Sequence, residues 1–242
     1  MSLIKDLLAD VVTVTAEEAE HDLENKSGGS FINECGVYDT TIEQAFMTKT
    51  KKGGIALNLH FRGANTLDSI LYIVSKKGGK LVTTCNMGGK TVSLPSFKLF
   101  KQLYFVATRE GLDLAEMKTK VETIKYKSYG KDVEVEAETI VGLIGKEVKI
   151  GVRLAERYAY EDGETIKSEL ATDKDGNTRY DKELDSVFSK EGFDAMEIIK
   201  EDTETKALES KIKFLSSDKA IKTVKLEAPE VEEEDDDELA FW

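Results

Sequence analysis

The chain has 242 residues, 40% hydrophobic and 33% charged, with a formal net charge of −13. That length supports one core of ordinary size, or one domain with a long appendage. The opening MSLIKDLLADVV is too short and too charged for a signal peptide, and no apolar run approaches the roughly 20 residues of a membrane span, so a soluble cytoplasmic protein is expected.

In chain order, Leu3, Ile4, Leu7, Leu8 and Val11 stand at helical spacing and predict a short amphipathic helix. A polar stretch ending in Gly28, Gly29 and Ser30 reads as a linker, so residues 1–30 form an N-terminal helix and linker. From Gly36 the pattern turns to strands. Gly36–Phe46 is the first and Thr48–Gly54 a basic turn. Gly54–Arg62 then alternates, with Ile55, Leu57, Leu59 and Phe61 on one face and Ala56, Asn58, His60 and Arg62 on the other. Leu67–Ser75 is a third strand, closed by the turn Lys76–Lys80. Leu81–Leu94 reads as a fourth, irregular strand with a turn at Gly88 and Gly89.

Pro95 opens a helix over Ser96–Arg109, with Phe97, Phe100, Leu103 (or Tyr104) and Ala107 on one face and Gly111 as its stop. Thr119–Ser128 and Asp132–Thr139 predict a hairpin around Ser128–Lys131. Leu143–Tyr160 is the longest strand signal. Val148, Ile150, Val152 and Leu154 point one way along it, and Lys149 and Arg153 the other. Beyond Tyr160 the chain is turn-rich, with a loop at Asp173–Asn177. Asp194 (or Ser189) then caps a helix over Ala195–Lys213.

The charge is uneven. Residues 227–242 hold nine of the 47 acids and no Lys or Arg; without them the body has 38 acids against 34 bases. Glu232, Glu233, Glu234, Asp235, Asp236, Asp237 and Glu238 form one run, which repels itself and is expected to be disordered and solvated. Leu239, Ala240, Phe241 and Trp242 follow it. Aromatics behind a block of charge suit a bait, in which the acids steer toward a basic partner and Phe241 and Trp242 fill a pocket. A near-neutral body leaves room for a local basic groove.

Catalytic chemistry is thin. Cys35 and Cys85 lie in no CxxC or Cys/His cluster and read as free thiols. His21 and His60 have no nucleophile in a recognisable motif, and no Walker, Rossmann, HExxH or GxSxG pattern occurs. The Gly-Gly pairs at Gly53, Gly78 and Gly88 adjoin lysines but lead into no helix, so they read as hairpin turns. No enzyme, metal or cofactor is expected.

The basic and aromatic residues are placed more purposefully. Turns carry Lys49, Lys51 and Lys52, then Lys76, Lys77 and Lys80, then Lys125, Lys127 and Lys131, the last group interleaved with Tyr126 and Tyr129. His60 and Arg62 sit on a polar strand face, and Lys149, Arg153, Arg157, Tyr158 and Tyr160 follow the long strand. Such cations can line a groove for phosphates, while exposed aromatics stack on bases of any identity.

Strands with Lys-rich turns, a helix set between them and the tail EEEDDDELAFW together resemble the bacteriophage-type single-stranded DNA-binding proteins. The resemblance covers residues 33–200 loosely and the tail specifically. It departs from the usual bacterial tip, which has a proline before a last phenylalanine; here the end is Leu239-Ala240-Phe241-Trp242. It implies an α+β chain, mainly β: an OB-fold barrel over 31–160 with an inserted helix, a hairpin and helix extension over 161–226, and an acidic tail over 227–242. It further implies a non-catalytic protein of the host-cell cytoplasm that coats and protects single strands in replication, recombination and repair. Its tail would recruit a polymerase, helicase or primase and compete with DNA for the groove, and it would self-associate on DNA. Three other readings stay open: an OB-fold RNA-binding protein, an assembly or interaction protein without nucleic acid, and a carboxylate-metal nuclease.

Overall fold

The computed structural model describes residues 31–226 apart from Lys51, Gly78, Gly79, Gly88, Gly89, Ala115, Tyr129, Gly130, Asp162 and Gly163. Asn86, Met87, 126–128, 131–133, Glu161 and Glu164 are described by their backbone alone. The expected N-terminal helix and linker and the acidic tail lie outside the described residues.

The architecture is mainly antiparallel β-sheet with a few helices. Alternating apolar residues build β1 (Gly36–Lys49), β2 (Ile55–Gly63) and β3 (Thr66–Lys77) as a meander, and the short β4 (Lys80–Val82) continues it. The expected fourth strand is three pieces: β4, then a separate hairpin of β5 (Thr84–Met87) and β6 (Lys90–Ser93). Pro95 begins α1 (Pro95–Thr108), which ends in a left-handed Arg109 rather than at Gly111. The predicted hairpin follows as β7 (Thr119–Ser128) and β8 (Lys131–Ile140).

The long strand expected over 143–160 divides into β9 (Glu147–Glu156) and β10 (Tyr158–Glu161). After Arg157 the chain leaves the main sheet, and β10 pairs instead with β11 (Glu164–Leu170). β12 (Tyr180–Ser189), in the segment assigned from sequence to an extension, pairs with β9 along its length and is part of the main sheet. The single helix expected over 195–213 is two, α2 (Ala195–Lys200) and α3 (Lys206–Leu215). Glu201 ends α2 in a left-handed conformation. The buried Glu197 carboxylate accepts from Asp194 N at 3.0 Å and from Ala207 N at 2.7 Å, so one side chain ties both helix starts together.

β1 organises the sheet, whose order is β12-β9-β1-β2-β3-β4 with β8 also on β1 and β7 on β8. One edge of β1 runs along β2. The other pairs with β9 from Gly36 to Thr41 and with β8 at Phe46 and Met47. The register shift between Ile42 and Gln44 falls between those two partners, where an extra residue bends the strand. Among the described residues no ladder joins β12 to β3.

The sheet has two unequal faces. On the inner face Ile42, Ala45, Met47, Leu57, Leu59, Phe61, Leu71, Val148 and Ile150 pack with Phe100, Leu103, Tyr104 and Val106 of α1 in one core. On the outer face Ile124, Val135 and Ala137 of the β7–β8 hairpin cover Phe46 in a second, small cluster. Elsewhere on that face α3 lies over β1 and β9, where Leu215 comes close to the bare backbone of Gly151.

Candidate nucleic-acid interface

The lysine-bearing turns converge. Lys49 of β1 is opposite Ile55 of β2, and Ile55 is opposite Val74 of β3, so the β1–β2 turn and the β3–β4 turn leave the same end of the sheet. β8 runs antiparallel to β1, with Phe46 opposite Thr139 and Met47 opposite Glu138. Its start at Lys131 therefore points past that same end, and the β7–β8 hairpin projects there too. Three hairpins carrying Lys49 and Lys52, Lys76, Lys77 and Lys80, and Lys125, Lys127 and Lys131 thus share one rim.

Two glycines set the first of these turns. Thr50 N and Gly54 O bond at 3.0 Å, and the Thr50 hydroxyl accepts from Gly54 N at 2.9 Å. Gly53 sits at φ +77°, where a side chain is strained, and Lys76 lies across it: an added Cβ would be 3.0 Å from Lys76 Cδ. At Gly54 an added Cβ would be 2.4 Å from Val74 O. Only glycine lets this turn close onto β3, which packs the turn against Lys76.

Among the described residues, none of Lys49, Lys52, Lys76, Lys77 and Lys80 pairs with a carboxylate. Lys52, Lys76, Lys77 and Lys80 are exposed and Lys49 is half-buried. Five like charges at one end of the sheet, with no carboxylate partner among the described residues, make a positive patch on an acidic chain. Within the third hairpin Lys125 Nζ meets Glu134 at 2.5 Å. Lys51 and Tyr129, and the side chains of Tyr126, Lys127 and Lys131, lie outside the described residues.

The cations expected further down the sheet are placed differently. His60 contacts Asp68 through Nδ1 and Glu43 at 3.4 Å through Nε2, and Arg62 meets Glu43 at 3.0 Å. Lys149 pairs with Asp39, and Arg157 meets Asp181 at 3.3 Å. Arg153 is bound up in packing. Its Nε donates to Ala220 O at 2.9 Å, Nη1 is 3.7 Å from Asp185, and the guanidinium lies over the Phe214 ring. Each of these cations already faces a carboxylate, and a phosphate that approached one would meet that carboxylate as well. The structure separates the expected groove into five lysines at the β1–β2 and β3–β4 turns with no carboxylate partner among the described residues, and cations that face a carboxylate, Lys125 of the third hairpin included.

The outer face of β2 and β3 carries Ala56, Asn58, Ile70 and Tyr72. Asn58 is fixed by Thr48 Oγ1 at 2.9 Å. Tyr72 stands opposite Ala56 and is 40% exposed, an aromatic a few residues from Lys76. The sequence reading missed it. LDSILYIVS looks like one apolar run until Leu67, Leu71 and Ile73 are seen to point inward, leaving Tyr72 outward. Tyr160 is 57% exposed on β10, and Tyr158 is held by its hydroxyl to Lys225 O at 2.9 Å. Both belong to the β10–β11 arm, away from the rim. No helix of the described residues is long and apolar enough to cross a membrane. The sequence matches no protein-family model and no curated protein.

Proposed function

We propose that this chain is a sequence-independent single-stranded DNA-binding protein, non-catalytic, with an OB-type core. The observation that carries the reading is the convergence of three lysine-bearing hairpins on one end of the sheet, beside a face on which Tyr72 is 40% exposed. Phosphates meet five lysines with no carboxylate partner among the described residues, and Tyr72 is placed beside them to contact a base; neither contact depends on base identity. Connectivity supports the OB assignment: a three-strand meander, a helix, then β9 on the first strand and β12 on β9. In this reading the β7–β8 hairpin is an insertion after the helix.

The acidic segment from Glu232 to Glu238 is read with this surface. Its seven charges repeat the pattern of a short phosphate run, and Leu239, Phe241 and Trp242 supply an apolar end for a replication protein to grip. The roles that follow are coating single strands and recruiting a polymerase, helicase or primase.

The test is an affinity measurement of the full chain and a chain ending at Val231 on labelled single-stranded DNA, RNA of the same sequence, and duplex. The reading expects single-strand binding that falls with salt and tightens on truncation. Equal binding to duplex and single strand contradicts it, and a strong preference for RNA moves the assignment to an RNA-binding protein.

A further inference from the structure

We infer that the single strand is held electrostatically only at the hairpin rim, with a short footprint, and that the ion-paired end of the sheet contributes no phosphate contacts. The inference rests on the single-strand reading and says which part of that surface binds. Lys49, Lys52, Lys76, Lys77 and Lys80 form no ion pairs among the described residues, whereas His60, Arg62, Lys149, Arg153 and Arg157 each face an acid on a neighbouring strand. Counterion release follows the number of phosphates neutralised. A cation that must leave its own carboxylate to meet a phosphate gives up that pair, and the bared carboxylate repels the strand, so it adds little net counterion release. The strand therefore gains affinity at the rim and little from running on toward β9 and β10. Tyr72, on the face next to the rim, takes the adjoining base. This puts the footprint at the low end of the roughly 4–16 nucleotides known for OB-type domains.

The two geometries differ in salt dependence. Binding to single strands follows a slope of about −0.7 per phosphate in log K against log salt. Rim binding by the five described lysines gives a slope of about −3.5. Contacts from every Lys and Arg of the expected groove would give about −9. The experiment is a salt titration of the full chain on labelled dT oligomers of increasing length. It is repeated with Lys76→Ala/Lys77→Ala/Lys80→Ala and with Lys149→Gln/Arg157→Gln, all checked for folding by circular dichroism. The expected result is a slope of about −3.5, flattened by about 2 in the rim variant and unchanged in the other, with affinity levelling off at short oligomers. A slope near −9, or equal flattening by the two variants, overturns the rim assignment while leaving single-strand binding intact. No binding of dT by the unaltered chain overturns the single-strand reading and this inference with it.

Discussion

The guanidinium carbon of Arg153 lies 5.4 Å from the ring centroid of Phe214, and Lys211 Nζ lies 5.3 Å from the same ring. Asp185 joins the group, 2.8 Å from Lys211. A residue placed by its sequence in a DNA groove is thus the mortar between β9 and α3. Replacing Arg153 with Ala removes a ring contact and the bond to Ala220 O and leaves Asp185 with Lys211 alone. The expected cost is about 1–3 kcal/mol of stability, read from the urea unfolding midpoint. The salt slope of single-strand binding should not change; a flatter slope at full stability would return Arg153 to the DNA surface.

Gly54 governs the rim through backbone contact rather than charge. Gly54→Ala places a methyl 2.4 Å from Val74 O, so the β1–β2 turn must swing off β3. We expect a loss of about 1–3 kcal/mol in stability together with weaker binding to single strands, because the turn that carries Lys52 moves off β3 and away from Lys76. Gly111→Ala is the control, since nothing lies within 4 Å of an added Cβ there, and it should change neither quantity.

Tyr72 tests stacking apart from charge. Tyr72→Ala should weaken dT binding by about 1–3 kcal/mol with the salt slope unaltered, and Tyr72→Phe should restore most of the affinity. Unchanged affinity in Tyr72→Ala would remove the ring from the path.

The loop between β11 and β12 carries a pH-dependent term. The Asp173 carboxylate accepts from Asp175 N and Asn177 N at 2.9 Å each and from the Asn177 amide. The backbone bond from Asn177 is the main cause that holds its carboxyl below the ordinary aspartate value. A depressed folded pKa means that the ionised form stabilises this turn above the unfolded value of about 3.9, and that the contribution is lost as pH falls through the folded pKa. An NMR titration should place the Asp173 midpoint below that of an unstructured aspartate, and Asp173→Asn should abolish the loop's pH response.

What could be read from sequence was local. The alternation in Ile55–Gly63, the Pro95 start of α1 and the hairpin turns at the lysine clusters are set by neighbours a few residues apart, and the structure has them where expected. What could not be read depended on distant pairing. Lys149 meets Asp39 across 110 residues and Lys211 meets Asp185 across 26, so no local pattern shows which cations are already compensated. The break after Glu156 follows from pairing with β11, and the placement of β12 beside β9 from a ladder that skips the whole arm. Tyr72 needed strand register, because a shift of one residue would have buried it.

The most direct measurement is a fluorescence titration of the full chain with a labelled dT oligomer and with a duplex of equal length, with Lys76→Ala/Lys77→Ala/Lys80→Ala alongside. Tight binding to the single strand, weak binding to the duplex and a clear loss in the rim variant are the predicted result. Binding to neither nucleic acid, or single-strand binding indifferent to those three lysines, would contradict the assignment of this rim as a single-strand-binding surface.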